Sequence, residues 1–322
     1  MKTNSAPALN DRNPTTDTGV KKRSPFQKAA TLDKRLKVFL WGDSGAGKTT
    51  LSLQFPNPAV IDLEGGADLY GDSFDFDVLR VTTADEAMRS VQWLLQNEHP
   101  YRTLTIDPIT VYWDALQKKW SNVFLRRNKG SKGYKYDFYD LQPRDWMTIK
   151  AEFKSFVRKL IALDVNVIVT ARQKVQYADG AFMKAIGETF DGEKSLPYLF
   201  DIVLRLYRDE KSKHMAKVLK DRTGKLPSGE FEVTYAHFEK TYGDILTREA
   251  KPIRCATEEQ KQRIREFIAC FQLSPDQVSG RLAAYGAENL DDLSGESASV
   301  ILQKFESALA AKKAAELNTK EV

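Results

Sequence analysis

One eight-residue run near the start of the chain constrains its fold more than any other feature. The run extends from Gly42 to Thr49 and reads GDSGAGKT, which matches the glycine-rich phosphate loop G-x-x-x-x-G-K-[ST]. An apolar stretch at residues 36–41 precedes it, and a helix-compatible stretch at residues 50–54 follows it. In that order, glycines let backbone N–H groups surround phosphate oxygens at a helix N-terminus, where the helix dipole favours anions. The run therefore predicts a strand, a phosphate-binding loop and a helix; the alternative is an ordinary glycine-rich turn.

The loop also carries two side chains with expected chemical roles. Lys48 is expected to reach the β- and γ-phosphates of a bound nucleotide, and the hydroxyl group of Thr49 is expected to bind Mg²⁺. The predicted cofactors are therefore ATP and Mg²⁺. The predicted nucleotide-binding residues of this segment are Gly42, Asp43, Ser44, Gly45, Ala46, Gly47, Lys48, Thr49 and Thr50.

Apolar runs and helix signals alternate through the middle of the chain. A capping box of Thr83 and Glu86 opens one helix pattern between two of the runs, and another pattern covers residues 146–163. Strands that alternate with helices predict a three-layer α/β core with a mainly parallel sheet. Further buried strands are predicted at residues 59–63, 78–81, 103–106 and 165–170. Antiparallel strands at the sheet edge are predicted at residues 199–207, 214–220 and 231–235.

Composition and charge divide the chain into four predicted segments. The N-terminal segment is polar and has no apolar period, so it cannot bury enough surface to offset the entropy of ordering. Residues 1–35 carry eight basic and three acidic side chains, so the net charge of this segment, +5, equals that of the whole chain. We predict a disordered basic tail at residues 1–34, an ATPase core at 35–250, a small helical module at 257–312 and a flexible tail at 313–322.

A single acidic residue closes the apolar run at residues 103–106. At the end of a buried strand, Asp107 is expected to hold Mg²⁺ through water, together with Thr49. The alternative is an aspartate that caps the loop before Pro108. Many ATPases carry their water-activating glutamate directly after this aspartate, and Pro108 excludes that arrangement in this chain.

A glutamate at the end of the second predicted strand is a candidate for the water-activating residue that is absent after Asp107. The segment Ile61-Asp62-Leu63-Glu64 resembles the corresponding strand end of RecA-like recombinases and hexameric helicases. The resemblance implies a RecA-like core, with Glu64 as the general base that orients water on the γ-phosphate. The alternative is a glutamate that faces solvent at a strand end.

A second segment resembles the same family. Residues 217–224 read KVLKDRTG, which is similar to the Lys-x-Arg-x-Gly segment that projects cations into the neighbouring subunit's nucleotide site in RecA-like motors. The resemblance implies that Lys220 and Arg222 act in trans on the charge of the transferred phosphate. Activity would then require a homo-oligomer, either a filament or a ring. The alternative is a basic β-turn.

Two polar residues follow the strand predicted at residues 165–170. In RecA-like proteins a polar side chain at this place senses the γ-phosphate, and the resemblance leaves open whether Arg172 or Gln173 has that role here. The alternative is a solvated strand end.

Residues 118–136 contain seven basic side chains, no acidic one and four interleaved aromatic residues. Cations that neutralise phosphates, combined with aromatic faces that stack on bases, are typical of a surface that binds single-stranded nucleic acid. The alternative is an amphipathic helix at residues 111–125, with Trp120 and Phe124 in the core, followed by a solvated basic loop. The predicted nucleic-acid contacts are Arg126, Arg127, Lys129, Lys132, Tyr134, Lys135 and Tyr136.

Position supports this surface, because the first DNA-binding loop of RecA-like recombinases occupies the same place. By resemblance alone, the second DNA-binding loop would lie at residues 174–194, where Gly180, Gly187 and Gly192 indicate mobility.

The resemblance covers about residues 36–240 and is nearest to the compact RecA-like ATPases of bacteriophages that act as single-strand annealing proteins or minimal recombinases. It implies a DNA-stimulated, Mg²⁺-dependent ATPase that binds single-stranded DNA and promotes annealing or strand exchange. The expected partners are single-stranded DNA, other copies of the chain and a single-strand-binding protein. The alternatives are a ring-type helicase or translocating motor, and a non-catalytic annealing scaffold in which nucleotide is a structural ligand.

Composition argues against several other classes of protein. The two cysteines, Cys255 and Cys270, have neither the spacing of zinc ligands nor a disulfide pattern. The apolar stretches are far shorter than the ~20 residues that span a bilayer, and the N-terminus lacks the apolar core of a signal peptide. We therefore expect no membrane partner and an intracellular location, and the resemblance to the bacteriophage ATPases implies the cytoplasm of a bacterial host cell.

Overall fold

The strands of the protein form one sheet. The computed structural model describes residues 35–130, 141–178, 184–248, 255–285, 287 and 289–318. Within these ranges the strands are β1 (Lys37–Gly42), β2 (Pro58–Asp62), β3 (Asp77–Arg80), β4 (Thr103–Asp107), β5 (Asn166–Tyr177), β6 (Ala185–Phe190), β7 (Ile202–Arg208), β8 (His214–Asp221) and β9 (Glu230–Glu232). Their order across the sheet is β3-β2-β4-β5-β1-β7-β8-β9, and β6 pairs with β5.

The phosphate-loop strand lies in the interior of this sheet. β1 pairs in parallel with β5 on one side and with β7 on the other, so its six residues are all buried. The carboxyl ends of β1, β2, β4, β5 and β7 therefore lie at one edge of the sheet, where ligands of open α/β sheets bind.

Helices cover both faces of the sheet, which confirms the predicted three-layer α/β arrangement. In the described ranges the helices are α1 (Lys48–Ser52), α2 (Ala84–Gln96), α3 (Ile109–Arg127), α4 (Pro143–Ala162), α5 (Leu196–Leu199), α6 (Tyr235–Leu246), α7 (Glu258–Cys270), α8 (Pro275–Ala283) and α9 (Gly295–Asn318). Helices α2, α3 and α4 bury one apolar cluster against the sheet, whereas α1 and α6 pack against the opposite face of β1, β5, β7 and β8.

Helix α2 begins where its sequence signal places it. The Thr83 hydroxyl oxygen accepts a hydrogen bond from the Glu86 backbone N–H at 3.2 Å, and the Glu86 carboxylate accepts one from the Thr83 N–H at 3.2 Å. These reciprocal bonds satisfy backbone donors that the first helical turn leaves without partners. The capping box predicted from the sequence is confirmed.

The strand predicted at residues 199–207 differs from the prediction in two ways. β7 begins only at Ile202, because Pro197 lies in the first turn of the short helix α5. β7 also runs parallel to β1, so only β8 and β9 are the predicted antiparallel additions. The last predicted run stops early, at Glu232, because the chain turns into helix α6 at Tyr235.

The strand predicted at residues 78–81 forms, but the prediction that it is buried is wrong. β3 pairs only with β2 and is the outer strand of the sheet in the described part of the chain, so all four of its residues are exposed. Its apolar residues resemble those of an interior strand, and only the strand order distinguishes the two cases.

The segment at residues 174–194, expected as a mobile DNA-binding loop, is largely a β-hairpin. β5 continues beyond the parallel sheet to Tyr177 and pairs antiparallel with β6. Strand formers such as Val175, Tyr177 and Ile186 explain this extension, and Lys174 closes its base with an ion pair of 2.8 Å to Asp191. Residues 179–183 lie outside the described residues.

The C-terminal helices α7, α8 and α9 bury an apolar cluster of their own, around Ile264, Leu282 and Leu293. Thr257 and Ser274 cap the first turns of α7 and α8, since each side chain accepts the backbone N–H three residues later. Helix α9 continues to Asn318, inside the segment where the sequence predicts a flexible tail.

Candidate active site at the phosphate loop

The phosphate loop connects β1 directly to α1, and close packing requires its glycines at two positions. A Cβ atom on Gly42 would lie 2.0 Å from the Leu206 carbonyl oxygen of the neighbouring strand β7. A Cβ atom on Gly47 would lie 2.6 Å from Nδ1 of His214, and the φ angle of Gly47 is +89°. Other residues would therefore clash with the neighbouring strands or strain the backbone.

The Lys48 side chain lies across this loop. Its Nζ donates hydrogen bonds to the carbonyl oxygens of Gly42 at 3.0 Å and Asp43 at 2.8 Å. Burial lowers the pKa of Lys48, whereas nearby carboxylates, first that of Asp107, raise it. The ammonium group is thus held at the loop by carbonyl oxygens that a phosphate group can replace.

Asp107 and Thr49 form a half-buried polar pair next to the loop. The Thr49 hydroxyl donates to Oδ2 of Asp107 at 2.6 Å, and the Thr170 hydroxyl donates to Oδ1 of Asp107. Burial raises the pKa of Asp107, while these two hydrogen bonds oppose the shift. A hydroxyl and a carboxylate in contact are oxygen ligands of the kind that Mg²⁺ prefers, so the two predicted metal residues fit that ion.

Asp62 shapes the segment that carries Glu64. The Asp62 carboxylate is buried at the end of β2 and accepts three backbone N–H groups: those of Glu64 at 2.9 Å, Gly65 at 2.8 Å and Ala67 at 2.9 Å. These bonds turn the chain sharply after the strand. Glu64 itself stays accessible, and its side chain lies at the same edge of the sheet as the phosphate loop.

Arg172 contacts the Glu64 side chain. Its Nε donates to Oε1 of Glu64 at 2.7 Å, and its Nη2 lies 2.5 Å from the same oxygen. The Arg172 backbone N–H donates to the Thr110 hydroxyl oxygen at 3.0 Å, which fixes the chain where β5 leaves the parallel sheet. The proposed general base and one of the two sensor candidates therefore form an ion pair.

Gln173, the other sensor candidate, is held by a different arginine. Its Oε1 accepts a hydrogen bond from Nε of Arg205 at 3.3 Å. Arg205 lies over the Trp41 ring at 5.7 Å and forms an ion pair with Glu188 of the hairpin.

These groups surround one cavity of about 390 Å³. Three of the predicted residues of the loop segment do not line it: Ala46, which is buried, Gly47, which packs against His214, and Thr50 on α1. The sequence did not single out Arg208 or His214, which contact the loop from β7 and β8. The predicted residues that line the cavity are Gly42, Asp43, Ser44, Gly45, Lys48, Thr49, Glu64, Asp107, Arg172 and Gln173.

Lys220 and Arg222 lie at the opposite end of the sheet. Lys220 on β8 pairs in the ladder with Val203 near the start of β7, whereas the phosphate loop follows the end of β1. The seven residues of β7 separate the two ends by roughly 20 Å. Lys220 Nζ donates to the carbonyl oxygens of Pro197 and Tyr198, at 3.0 and 3.1 Å, and Arg222 pairs with Asp201 at 2.8 Å. They do not reach the site of their own chain.

Only part of the predicted nucleic-acid surface can be placed. Arg126 and Arg127 end α3, and Lys129 follows them; all three are exposed. Trp120 donates from Nε1 to Glu152 at 2.5 Å and stacks on Phe124 at 5.3 Å, and both rings pack against the core. The structure therefore supports the alternative interpretation for these two residues, in which Trp120 and Phe124 pack against the core. The predicted contacts Lys132, Tyr134, Lys135 and Tyr136 lie outside the described residues.

Comparison with known proteins adds one finding. The family described as "AAA domain" matches residues 34–229, which is more than half of the chain and includes the whole cavity. A search of curated proteins gave no match. Over the ranges that the structure describes, no helix is both long and apolar enough to cross a membrane.

Proposed function

The chain belongs to the AAA-domain family of P-loop ATPases, and from that premise we propose that it hydrolyses ATP with Mg²⁺, binds single-stranded DNA and promotes annealing or strand exchange. One observation carries the catalytic part of the proposal: the phosphate loop, the Thr49–Asp107 pair and Glu64 line the same cavity. Phosphoryl transfer needs little more than positioned charges and a positioned water, and this set of residues can supply both.

Each residue of the cavity has a defined task in this proposal. The loop N–H groups and Lys48 bind the phosphates, while Thr49 and Asp107 hold Mg²⁺, which when bound neutralises phosphate charge. Glu64 orients the attacking water and accepts its proton. Both contacts of Arg172 are with Oε1 of Glu64, so the second carboxylate oxygen, Oε2, can accept the proton while the ion pair holds the side chain in place.

The DNA-binding part of the proposal is supported by the acid-free tract at residues 118–136 and by the exposed cations at the end of α3. Cations clustered in sequence beside an ATPase core suit a phosphate backbone. Resemblance to RecA-like annealing proteins supports the other parts of the proposal. These are a homo-oligomer in which Lys220 and Arg222 complete the neighbouring subunit's nucleotide site, a single-strand-binding protein as partner, and the cytoplasm of a bacterial host as location.

Salt-dependent binding of a labelled single-stranded oligonucleotide tests the DNA contact. Replacing both Arg126 and Arg127 by Ala should lower the slope of log affinity against log salt by about 1.4, or ~0.7 per lost contact. A matched control replaces the exposed Lys211 and Lys240 by Ala, which removes the same charge elsewhere and should leave the slope unchanged. Wild-type protein without salt-dependent binding would remove DNA from the proposal and leave the ATPase site intact.

Two further assays separate the rival functions. Directional unwinding of a forked duplex would favour the helicase or translocating motor, since an annealing protein or recombinase should not show it. Annealing that is unaffected by Lys48→Ala and by Glu64→Ala would favour the scaffold, in which nucleotide is only a structural ligand.

A further inference from the structure

Two side chains outside the motif contact the back of the phosphate loop. Arg208, the last residue of β7, and His214, the first residue of β8, face each other in the antiparallel ladder. Arg208 Nε donates to the Gly45 carbonyl oxygen at 2.9 Å, and His214 Nδ1 lies 3.1 Å from the Ala46 carbonyl oxygen. One cross-strand pair therefore binds two successive carbonyl groups of the loop.

Because the peptide bond is planar, these contacts also fix the direction of two backbone N–H groups of the loop. In a planar trans peptide, the C=O of one residue and the N–H of the next point in opposite directions. With the Gly45 and Ala46 carbonyl groups held outward, the N–H groups of Ala46 and Gly47 must point to the other side, into the loop. The Ala46 N–H does point inward, where it meets the Asp43 carbonyl oxygen at a long 3.3 Å. A phosphate oxygen can replace so weak an acceptor.

Steric evidence at the loop supports the same arrangement. The His214 ring packs directly on Gly47, where it occupies the space that a Cβ atom would need. Since β7 lies beside β1, the Leu206 carbonyl oxygen occupies the corresponding space at Gly42. Strands β7 and β8 thus hold the loop at both of its ends.

We infer that Arg208 and His214 are positioning residues that preset the phosphate loop for anions. They hold two peptide groups in the orientation in which the Ala46 and Gly47 N–H groups face the α- and β-phosphates of a nucleotide. This inference rests on the proposed function, because it specifies how the same site recognises the nucleotide. It assigns these two side chains no contact with substrate.

Affinities for ADP and ATP, measured by calorimetry on the full chain, test the inference. ADP retains the phosphates that the loop N–H groups bind, so His214→Leu should weaken ADP and ATP equally, by roughly fivefold for one lost hydrogen bond. His214→Asn should restore affinity, because Asn Nδ2 and His Nδ1 are the same number of bonds from Cβ. His237→Leu serves as the control, since His237 lies on α6 and bonds to Thr234.

Arg208→Met should likewise weaken ADP and ATP to the same extent, with Arg208→Lys intermediate. Melting temperatures measured without nucleotide provide a second readout, because a purely structural role would lower them in step with affinity, with no rescue by His214→Asn. Loss of ATP affinity with ADP affinity unchanged would overturn the inference, since Arg208 would then contact the γ-phosphate. Variants that bind both nucleotides as the wild type does would also overturn it.

The wild-type measurement separates this inference from the proposed function. Wild-type protein that binds neither nucleotide would overturn both. Wild-type binding combined with unaltered variants would overturn only the positioning role of Arg208 and His214.

Discussion

The two ends of the sheet carry similar charged residues in opposite circumstances. At the carboxyl end of the parallel strands, Lys48, Glu64 and Arg172 line a cavity and bond to one another or to loop carbonyl groups. At the amino end, the Lys37 ammonium group is buried and donates to the carbonyl oxygens of Leu163 and Val165, both at 2.8 Å. Residue type alone therefore does not identify a site.

The difference lies in what the polar groups can exchange. Arg35, at the amino end, is paired with Asp164 at 3.0 Å, and both side chains are almost inaccessible. The Glu64–Arg172 pair is about half exposed and lies beside the phosphate loop. A ligand can replace partners in an open cavity but cannot reach those enclosed by packing. We therefore expect ligand exchange at the carboxyl end and a structural role for the buried pairs at the amino end.

The largest effect should come from Glu64 at the carboxyl end. Glu64→Gln keeps the size of the side chain but removes its basicity, so the ATP hydrolysis rate should fall by about 10²- to 10⁴-fold. ATP affinity should hardly change, because Glu64 acts on the water. Glu210→Gln, at an exposed position in the β7–β8 turn, is the control and should hydrolyse ATP normally. Normal hydrolysis by Glu64→Gln would place the general base elsewhere.

The second prediction tests whether the amino end of the sheet has a catalytic role in a neighbouring subunit. Replacing both Lys220 and Arg222 by Ala should lower hydrolysis by about 10²- to 10³-fold if these cations stabilise phosphate charge in trans. Mixing this variant with Glu64→Gln should restore activity, because one supplies an intact site and the other intact cations.

Two results would show that Lys220 and Arg222 have no role in a neighbouring subunit's site and only a structural role at the amino end of their own sheet. The first is a mixture that assembles but stays inactive. The second is a double variant that hydrolyses ATP normally, as expected if Lys220 only caps the carbonyl groups of α5 and Arg222 only pairs with Asp201.

The third prediction concerns Lys37 and the stability of the amino end. Burial lowers the pKa of Lys37 to about 7, against 10.5 for a free lysine. Between these values the unfolded chain holds one more proton, so the free energy of unfolding should rise as pH increases from about 7 to 10.5. The neutral amine still has two N–H bonds for its two carbonyl acceptors. Lys37→Met should flatten this slope, and the exposed Lys211→Met should not.

A structural feature could be predicted from the sequence when residues close together in the chain determine it. The phosphate loop, Asp107 and the Thr83–Glu86 cap were predictable because residues adjacent in the chain determine them. The contacts of Arg208 and His214 with the loop span 163 and 168 residues. They follow from the position of β7 beside β1, which no local pattern encodes.

Predictions that depend on distant residues fared worse. β3 has the apolar residues of an interior strand, and its exposure follows from its place at the edge of the sheet. The resemblance alone predicted a loop at residues 174–194, where the strand formers Val175, Tyr177 and Ile186 instead pair β5 with β6. The Glu64–Arg172 pair joins residues 108 apart, so each side chain could be predicted singly but not their contact.

The rate of ATP hydrolysis with and without single-stranded DNA shows whether the carboxyl end of the sheet is a DNA-stimulated ATP-hydrolysing site. We predict measurable hydrolysis by the wild type, a higher rate when single-stranded DNA is added, and neither with Glu64→Gln. The opposite result would be wild-type hydrolysis no faster than that of Glu64→Gln, or a wild-type rate that single-stranded DNA leaves unchanged.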